Sequence, residues 1–427
     1  MGGLVTGFVY SLLAGVPIVF VLGISSLFFI LFTGNLDWLL VIPQRMFTGI
    51  DNFVLMNVPF YILVGEIMNV SGVSQRLMMF LKLLLGHIKG SLAHVNVVSS
   101  VLFAGISGSA QADAAATGSV LYPAMKKEGY DKDYSAALIA ASSTIGPIIP
   151  PSMIMIMYAV IANVSIIDLF LAGIIPGLLM AVFLMIVTAY HAKKNNEIPE
   201  GSITKPSLKE VLIGLKESLL VMVLPFIILG GILSGIFTAT EAAAVAVAYG
   251  LFLSFFVYKS IKLKDLPVIC ARVSVLSGAV LLVAGTGNLF AWLLAVEQIP
   301  QFLANGILAL SENPIIILLL INIFLLIIGT FLDTFPALII LTPVLLPIAT
   351  SIGIDPVHFG IIMSINLAQG LITPPLGLAL FVTSTVTKRP IEKIVRKMIP
   401  FLVANIIVLL IISYVPSLSM FIPNLFK

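Results

Sequence analysis

The sequence predicts an all-α polytopic membrane protein built as an inverted-topology repeat, with two re-entrant helical hairpins and two broken helices. Three observations carry that reading. The composition is extremely hydrophobic, the Lys and Arg residues are confined to a few loops, and a set of Gly, Pro and Asp residues recurs at a fixed spacing.

Of 427 residues, 60% are hydrophobic and only 10% charged, and the mean hydropathy is +1.17, far from the composition of a soluble domain. A net charge of +3 gives no argument for a nucleic-acid partner, because Lys and Arg in such a chain mark loops on one membrane face. The single cysteine, Cys270, excludes an intrachain disulfide and a Cys-based metal cluster. Beside Arg272 at an apolar helix start, it reads as a small core residue.

The N-terminal run from about 5 to 32 lacks a basic leader and a small-residue cleavage site, and it exceeds the apolar length of a signal peptide. It is expected to be the first transmembrane helix. The amphipathic stretch "LDWLLVIPQRMFTGIDN" that follows reads as an interfacial arm helix or a Trp38-anchored loop. Further apolar runs of roughly 18 residues or more fall near 53–70, 133–162, 168–190, 211–236, 239–258, 273–296, 356–386 and 398–418. Two regions, about 90–125 and 314–349, are apolar but interrupted.

Clusters between these runs hold 20 of the 22 Lys and Arg. All of them lie in the cytoplasm only if each interrupted region enters and leaves the membrane on one side. Length agrees: the arm "SLAHVNVVSSVLFA" is about 21 Å long as a helix, short of a hydrocarbon core of about 30 Å. The first hairpin is therefore expected to open to the cytoplasm and the second to the outside.

Shifting the chain by 224 residues aligns Gly105–Pro151 with Gly329–Pro375 without a gap. Most identities are punctuation: Gly105/Gly329, Pro123/Pro347, Gly129/Gly353, Asp131/Asp355, Gly146/Gly370, Pro150/Pro374 and Pro151/Pro375. Hydrophobic composition alone does not repeat such residues. Residues 1–190 are thus expected to form the first repeat, with hairpin 90–125 and broken helix 133–162. Residues 191–236 provide a cytoplasmic linker and an extra transmembrane helix that turns the second half over. Residues 237–427 form the second repeat, with hairpin 314–349 and broken helix 356–386. Inverted repeats of this kind place a binding site near the bilayer midplane, between interrupted helices of both halves.

Each half supplies one hairpin tip and one break: "GISGSAQAD" and "SSTIGPIIPPS", then "GTFLDT" and "NLAQGLITPPLG". Proline lacks a donor and clashes with the preceding turn, so a continuous helix is not expected through Pro147, Pro150 and Pro151. Backbone groups freed inside a membrane need protein or a wet cavity around them. Freed carbonyls suit a cation and freed N–H groups an anion. Hydroxyls at Ser107, Ser109, Ser142, Ser143, Thr144, Thr330, Thr334 and Thr373, with the carboxylates of Asp113 and Asp333, give the oxygen-rich setting of a hard cation. Two plainer readings stand beside this one: the small residues only allow tight helix packing, and Asp113 and Asp333 cap the second arm of each hairpin.

Among the other intramembrane acids, Glu66 calls for a functional or buried-network role. Glu241 at a helix start suits either the helix dipole or transport, and Glu297 is expected at the interface. His94 reads as a packed polar residue rather than a metal ligand. No phosphate loop, zinc-protease or hydrolase-elbow motif occurs, so the protein is expected not to be an enzyme and not to use ATP. Hydroxyls and freed carbonyls at four breaks favour Na⁺ over a proton relay as the coupling ion.

These residues taken together, above all "GISGSAQADAAATGS", "YPAMKKEGYDKDYSAALIAASSTIGPIIPPS", "TATEAAA" and "LITPPLG", resemble the large permease (M) subunit of tripartite ATP-independent periplasmic (TRAP) transporters over essentially the whole chain. The resemblance implies Na⁺-driven uptake of an organic acid anion, such as a C4-dicarboxylate, sialic acid or another sugar acid, across the bacterial inner (cytoplasmic) membrane. It implies a periplasmic substrate-binding (P) protein that delivers the solute and a small four-helix membrane (Q) subunit, here expected as a separate chain. It also implies an elevator-type ion-transporter-like fold. By position, sodium would be held by Gly105, Ser109, Asp113, Ser142, Thr144 and Gly146 at the first tip and break, and by Gly329, Asp333, Gly370 and Thr373 at the second. The solute would lie between the tips, near Ser107, Ser109, Asp113, Thr334, Pro150, Pro151, Pro374 and Pro375. The acids would serve the cations, whose charge then helps hold the anion. The main alternative is a stand-alone sodium/dicarboxylate symporter that needs no binding protein; a channel or a membrane-embedded hydrolase lacks its expected pattern.

Overall fold

The structure is a computed structural model that describes residues 2–194, 208–302, 306, 313–374 and 377–426. All regular elements among the described residues are helical, and seven are long and apolar enough to cross a membrane. The linker at 195–207 lies outside the described residues.

The chain begins differently from expectation. The run from 5 to 32 is not one span but two helices packed on each other, α1 (Gly2–Leu13) and α2 (Ile18–Thr33). Gly15 adopts a left-handed φ of 74° and Pro17 follows it, which ends one helix and starts the next. The amphipathic stretch forms a 3₁₀ turn, Leu36–Leu40, and α3 (Val41–Ile50), neither with a fully buried residue. Its Arg45 guanidinium sits 5.3 Å from the Trp292 ring centre. Then come α4 (Asn57–Val70) and α5 (Val73–Leu85).

The first hairpin is α6 (Ser91–Ser107) and α7 (Ala110–Lys127), joined by two residues. The first interrupted helix is α8 (Lys132–Ser143) and α9 (Met153–Ala162), and the long α10 (Ile166–Lys194) closes the half. After α11 (Leu208–Leu233), α12 (Ala239–Phe252) and α13 (Leu266–Val296), the same order returns. The second hairpin is α14 (Pro314–Phe331) and α15 (Thr334–Ser351), the second interrupted helix is α16 (Pro356–Gly370) and α17 (Leu378–Thr387), and α18 (Ile391–Tyr414) matches α10. A short C-terminal helix, α19 (Pro416–Leu425), has no counterpart among these predicted spans and packs on α10, α16 and α18.

The 224-residue correspondence extends to backbone detail. Gly129 and Gly353 have φ of 86° and 85°, each ending the second arm of a hairpin in a left-handed turn that only glycine enters freely. Two residues later Asp131 and Asp355 cap α8 and α16 through Tyr134 N and Val357 N. Asp or Asn at such a cap is worth about 1 kcal/mol over an apolar residue.

The helices sort into two groups by contact. The hairpins, interrupted helices, α10, α18 and α19 pack among themselves, while α2, α3, α4, α12 and α13 form the neighbouring group. Among the membrane-length helices, burial of the apolar window is greatest in α15, at 61%, and least in α13, at 22%. α13 thus presents most of its apolar surface outward, as a lipid-facing span does. Cys270 is exposed, correcting its reading as a core residue; in α13 it is Ile269, Val273 and Ser277 that turn inward.

The interrupted helices lie antiparallel. Arg389, just beyond α17, bonds Asp133 in the first turn of α8 at 2.6 Å. Toward the other end, the Tyr158 hydroxyl of α9 donates to the Pro356 carbonyl at the start of α16 at 2.7 Å. Each helix begins where the other ends.

Candidate site between two hairpin tips

At the first tip, α6 stops at Ser107 and Gly108 turns the chain with φ 58°. A Cβ there would also collide with the Pro151 carbonyl, so both conformation and space require glycine. Ser109 is extended and caps α7, accepting from Ala112 N, while its hydroxyl donates to Gln111 Oε1 at 3.0 Å. Asp113 is therefore not the cap: it lies one turn further down, fully buried. Its carboxylate is beside Ser100, yet neither carboxylate oxygen nor the Ser99 and Ser100 hydroxyls has a hydrogen-bond partner. At the second tip the capping expectation holds, since Asp333 caps α15 by accepting from Thr334 N at 2.8 Å.

Both interrupted helices tighten before they stop. Thr144, Ile145 and Gly146 donate three residues back, to Ala141, Ser142 and Ser143, at 3.0–3.3 Å. Leu371, Ile372 and Thr373 do the same to Ala368, Gln369 and Gly370 at 3.1–3.3 Å. The cause is readable in the spacing: Pro150 and Pro374 stand four residues after Gly146 and Gly370, so the amide that a helix would pair with each glycine carbonyl is absent. The first tip lies on the first break, because a Cβ at Gly146 would be 3.2 Å from the Ser109 carbonyl. The second hairpin lies on the second break, where a Cβ at Gly370 would collide with the Gly329 carbonyl.

The two tips meet. Gly108, Ser109 and Gln111 of one and Asp333, Thr334 and Phe335 of the other line a cavity with Pro147 and Leu371 of the breaks. Its volume, about 20 Å³, is room for one water and far below the several hundred Å³ that small-molecule sites offer. A larger crevice of about 250 Å³ opens between Thr48, Asn52 and Asn288 on one side and Met157, Ile339 and Pro343 on the other.

Of the residues singled out from sequence, Ser109, Asp333 and Thr334 line the shared cavity. Ser107 is buried at the turn, its hydroxyl 3.5 Å from Ser109 N. Ser142 and Thr144 are buried at the first break, bonded to Asn96 at 2.9 Å and Asn405 at 3.3 Å. Gly105 packs against Pro225 of α11, behind the tip, and Thr373 is half-buried, donating to the Gln369 carbonyl at 2.7 Å. Pro150 and Pro151 are buried under the first tip. Pro374 is exposed rather than buried between the tips. Pro375 lies outside the described residues.

Two acids weighed separately find structural roles. Glu66 pairs with Arg272 at 2.9 Å, joining α4 to α13. Glu241 completes a capping box with Thr238. Sequence reasoning passed over the buried amides Asn96, Asn322, Gln369 and Asn405. The available signal was an amide within an apolar helix, which needs a partner when buried.

A family model described as "Tripartite ATP-independent periplasmic transporter, DctM component" matches residues 5–418. The chain belongs to the DctM family. Over the full chain it is 42% identical to the sialic acid TRAP transporter large permease protein SiaM of Vibrio cholerae, covering 99% of that protein. With the C4-dicarboxylate TRAP transporter large permease protein DctM of Pseudomonas aeruginosa it shares 40% identity over 89% of this chain and 88% of the relative. Among solved structures, the YdaH transporter of Alcanivorax borkumensis superposes with a TM-score of 0.63 at 16% identity, covering 91% of this chain and 89% of that one; the likeness is one of fold. This DctM-family permease is therefore a multi-pass protein of the bacterial inner membrane and a transporter component rather than an enzyme.

Proposed function

We propose that this permease takes up an organic acid anion, a C4-dicarboxylate or sialic acid or another sugar acid, by coupling it to Na⁺ entry. The solute is handed over by a periplasmic binding protein, and a small four-helix membrane subunit braces the permease. One observation carries the reading: the two hairpin tips and both helix breaks converge on one cavity bearing Ser109, Asp333 and Thr334.

Hydroxyl, carboxylate and freed carbonyl oxygens are the ligands of a hard cation. Gly105, Ser109, Asp113, Ser142, Thr144 and Gly146 would serve one ion, and Gly329, Asp333, Gly370 and Thr373 the other. Cations held there offset the acids and attract the anion. The antiparallel interrupted helices and the repeated order of elements support two oppositely inserted repeats, 1–190 and 237–427. Both open ends of the first hairpin lie on one side of it, where Lys82 of α5 reaches Glu128 beyond α7 at 2.6 Å, which supports re-entrance. Arms of 17 and 18 residues span about 26 Å as helices.

The cavity is closed to any organic acid, so solute entry requires the hairpin group to part from its surroundings. The crevice beside Asn288 and Pro343 marks a boundary between the two helix groups, and displacement of one group against the other there is the elevator reading. Reconstitution tests the function. Uptake into liposomes should need an inward Na⁺ gradient, the small subunit and the loaded binding protein together. Uptake of free solute without the binding protein would establish the stand-alone symporter instead.

A further inference from the structure

A buried hydrogen-bonded path joins the two interrupted helices through a helix that belongs to neither. The side-chain nitrogen of Asn405, on α18, donates to Thr144 Oγ1 at the first break at 3.3 Å and to Gln369 Oε1 beside the second at 3.1 Å. An amide nitrogen carries two protons, and here each goes to a different half of the molecule. Separate buried bonds tie each interrupted helix to its hairpin. Asn96 of α6 donates to Ser142 at 2.9 Å, and Asn366, one turn before Gln369, donates to Asn322 of α14 at 2.7 Å. Asn405, Thr144, Gln369, Asn366, Asn96 and Ser142 are wholly buried.

Both ends of the Asn405 link control groups that face the breaks. Thr144 donates to the Ala141 carbonyl at 2.7 Å, so with one lone pair taken by Asn405 it keeps another for a cation. The Gln369 carbonyl accepts from Ile372 N and from the Thr373 hydroxyl, which makes this residue part of the turn that shapes the second break. The network is incomplete: Asn405 Oδ1, Gln369 Nε2 and Asn366 Oδ1 are buried without partners. Such a network can be rearranged, since its amides hold unused donors and acceptors on both sides of the link. Under the 224-residue shift the position equivalent to Asn405 is Ala181, which is also buried. The link therefore occurs once and is not a by-product of duplication.

We propose that Asn405 is a positioning residue that couples the ion sites at the two interrupted helices, so that a cation at one raises affinity at the other. This rests on the sodium reading above. Coupling between two sites is reciprocal and needs an element whose arrangement both sites bias; a single amide shared between the breaks is such an element.

The test is initial solute uptake against Na⁺ concentration, in liposomes holding the permease with its small subunit and loaded binding protein. Wild type should give a Hill coefficient above about 1.5. Asn405→Leu keeps the branched shape and removes both bonds, and Gln369→Leu cuts the same link from the other side while sparing Asn405 and Thr144. Each should bring the Hill coefficient to about 1 and raise the half-saturating Na⁺ concentration about five-fold or more, with the maximal rate within about two-fold. The double variant should be no worse than either single one. Should Asn405→Leu fail to assemble, Gln369→Leu decides. A cooperative wild type whose variants stay equally cooperative, at any maximal rate, overturns the coupling and leaves the sodium reading standing, as does a wild-type Hill coefficient of 1. Uptake indifferent to Na⁺ in the wild type overturns both.

Discussion

The Arg389 side chain donates to the Asp133 carboxylate at 2.6 Å, fastening the end of the second interrupted helix to the beginning of the first. With Tyr158 bonded to the Pro356 carbonyl toward the opposite end, the two helices are held antiparallel by their own termini. That is the relation the proposed inverted duplication requires, in which each break faces the other at half height.

The pair gives a pH-dependent contribution to stability. The Arg389 hydrogen bond is the main cause that holds the Asp133 carboxyl below the usual carboxylate range. A folded-state pKa below the unfolded value of about 3.9 means that the contribution is complete above that value and disappears as pH falls through the folded pKa. Asp133→Asn should lower the Tm of the purified permease by about 1–3 °C at pH 7, as befits a partly exposed pair. The difference from wild type should hold down to about pH 4 and shrink only below it, as pH falls from the unfolded pKa toward the lower folded one. An equal difference at pH 3 and pH 7 would assign the effect to packing.

Asp333 combines a cap with a place in the cavity between the tips, and two substitutions separate these roles. Asparagine caps as well as aspartate, so Asp333→Asn should leave thermal stability unchanged while raising the half-saturating Na⁺ concentration about ten-fold. Asp333→Ala should also lose about 1 kcal/mol of stability. Sodium dependence unaltered in Asp333→Asn would remove this residue from the ion site.

Two glycines should respond in opposite ways to alanine. At Gly370 a Cβ would collide with backbone of Gly329, which cannot swing aside, so Gly370→Ala should abolish uptake and lower the yield of folded protein. At Gly230, on α11, nothing lies within 4 Å of the added atom. Gly230→Ala should therefore be neutral or raise the Tm, by up to about 1 kcal/mol in helix propensity. Thermal unfolding of both variants in detergent measures this.

Hairpin re-entrance is accessible to cysteine labelling once the exposed Cys270 is replaced by serine. Lys89→Cys and Lys126→Cys flank the first hairpin at exposed positions and should react from the cytoplasmic side only. Asn313→Cys and Ser351→Cys flank the second, also exposed, and should react from the outside only. Labelling of either pair from opposite sides would show a hairpin to be two full crossings.

Legibility from sequence followed the range of the interactions involved. The breaks at Gly146 and Gly370 were visible because Pro150 and Pro374 remove a donor four residues on, which is local chemistry. Asp131 and Asp355 were recognised as repeated punctuation before their capping bonds could be seen. Asp113 was misplaced as a possible cap because the position of the turn depends on Gly108 and on the Pro151 carbonyl beneath it, a long-range contact. The first span was misjudged for a milder reason. Gly15 and Pro17 were in plain view, but an unbroken apolar run outweighed them.

The sequence by itself determined that this chain lives in a membrane, that its Gly, Pro and Asp punctuation recurs at a fixed spacing, and where its helices must stop. Hydropathy, charge placement and missing amide protons act within a few residues and survive without any knowledge of neighbours. Only the tertiary structure decided that Ser109 and Thr334 share one cavity while Pro374 is exposed, that Glu66 belongs to Arg272, and that Asn405 spans both breaks. Those relations join residues up to 261 positions apart, and a side chain's partner at that distance is chosen by how whole helices pack.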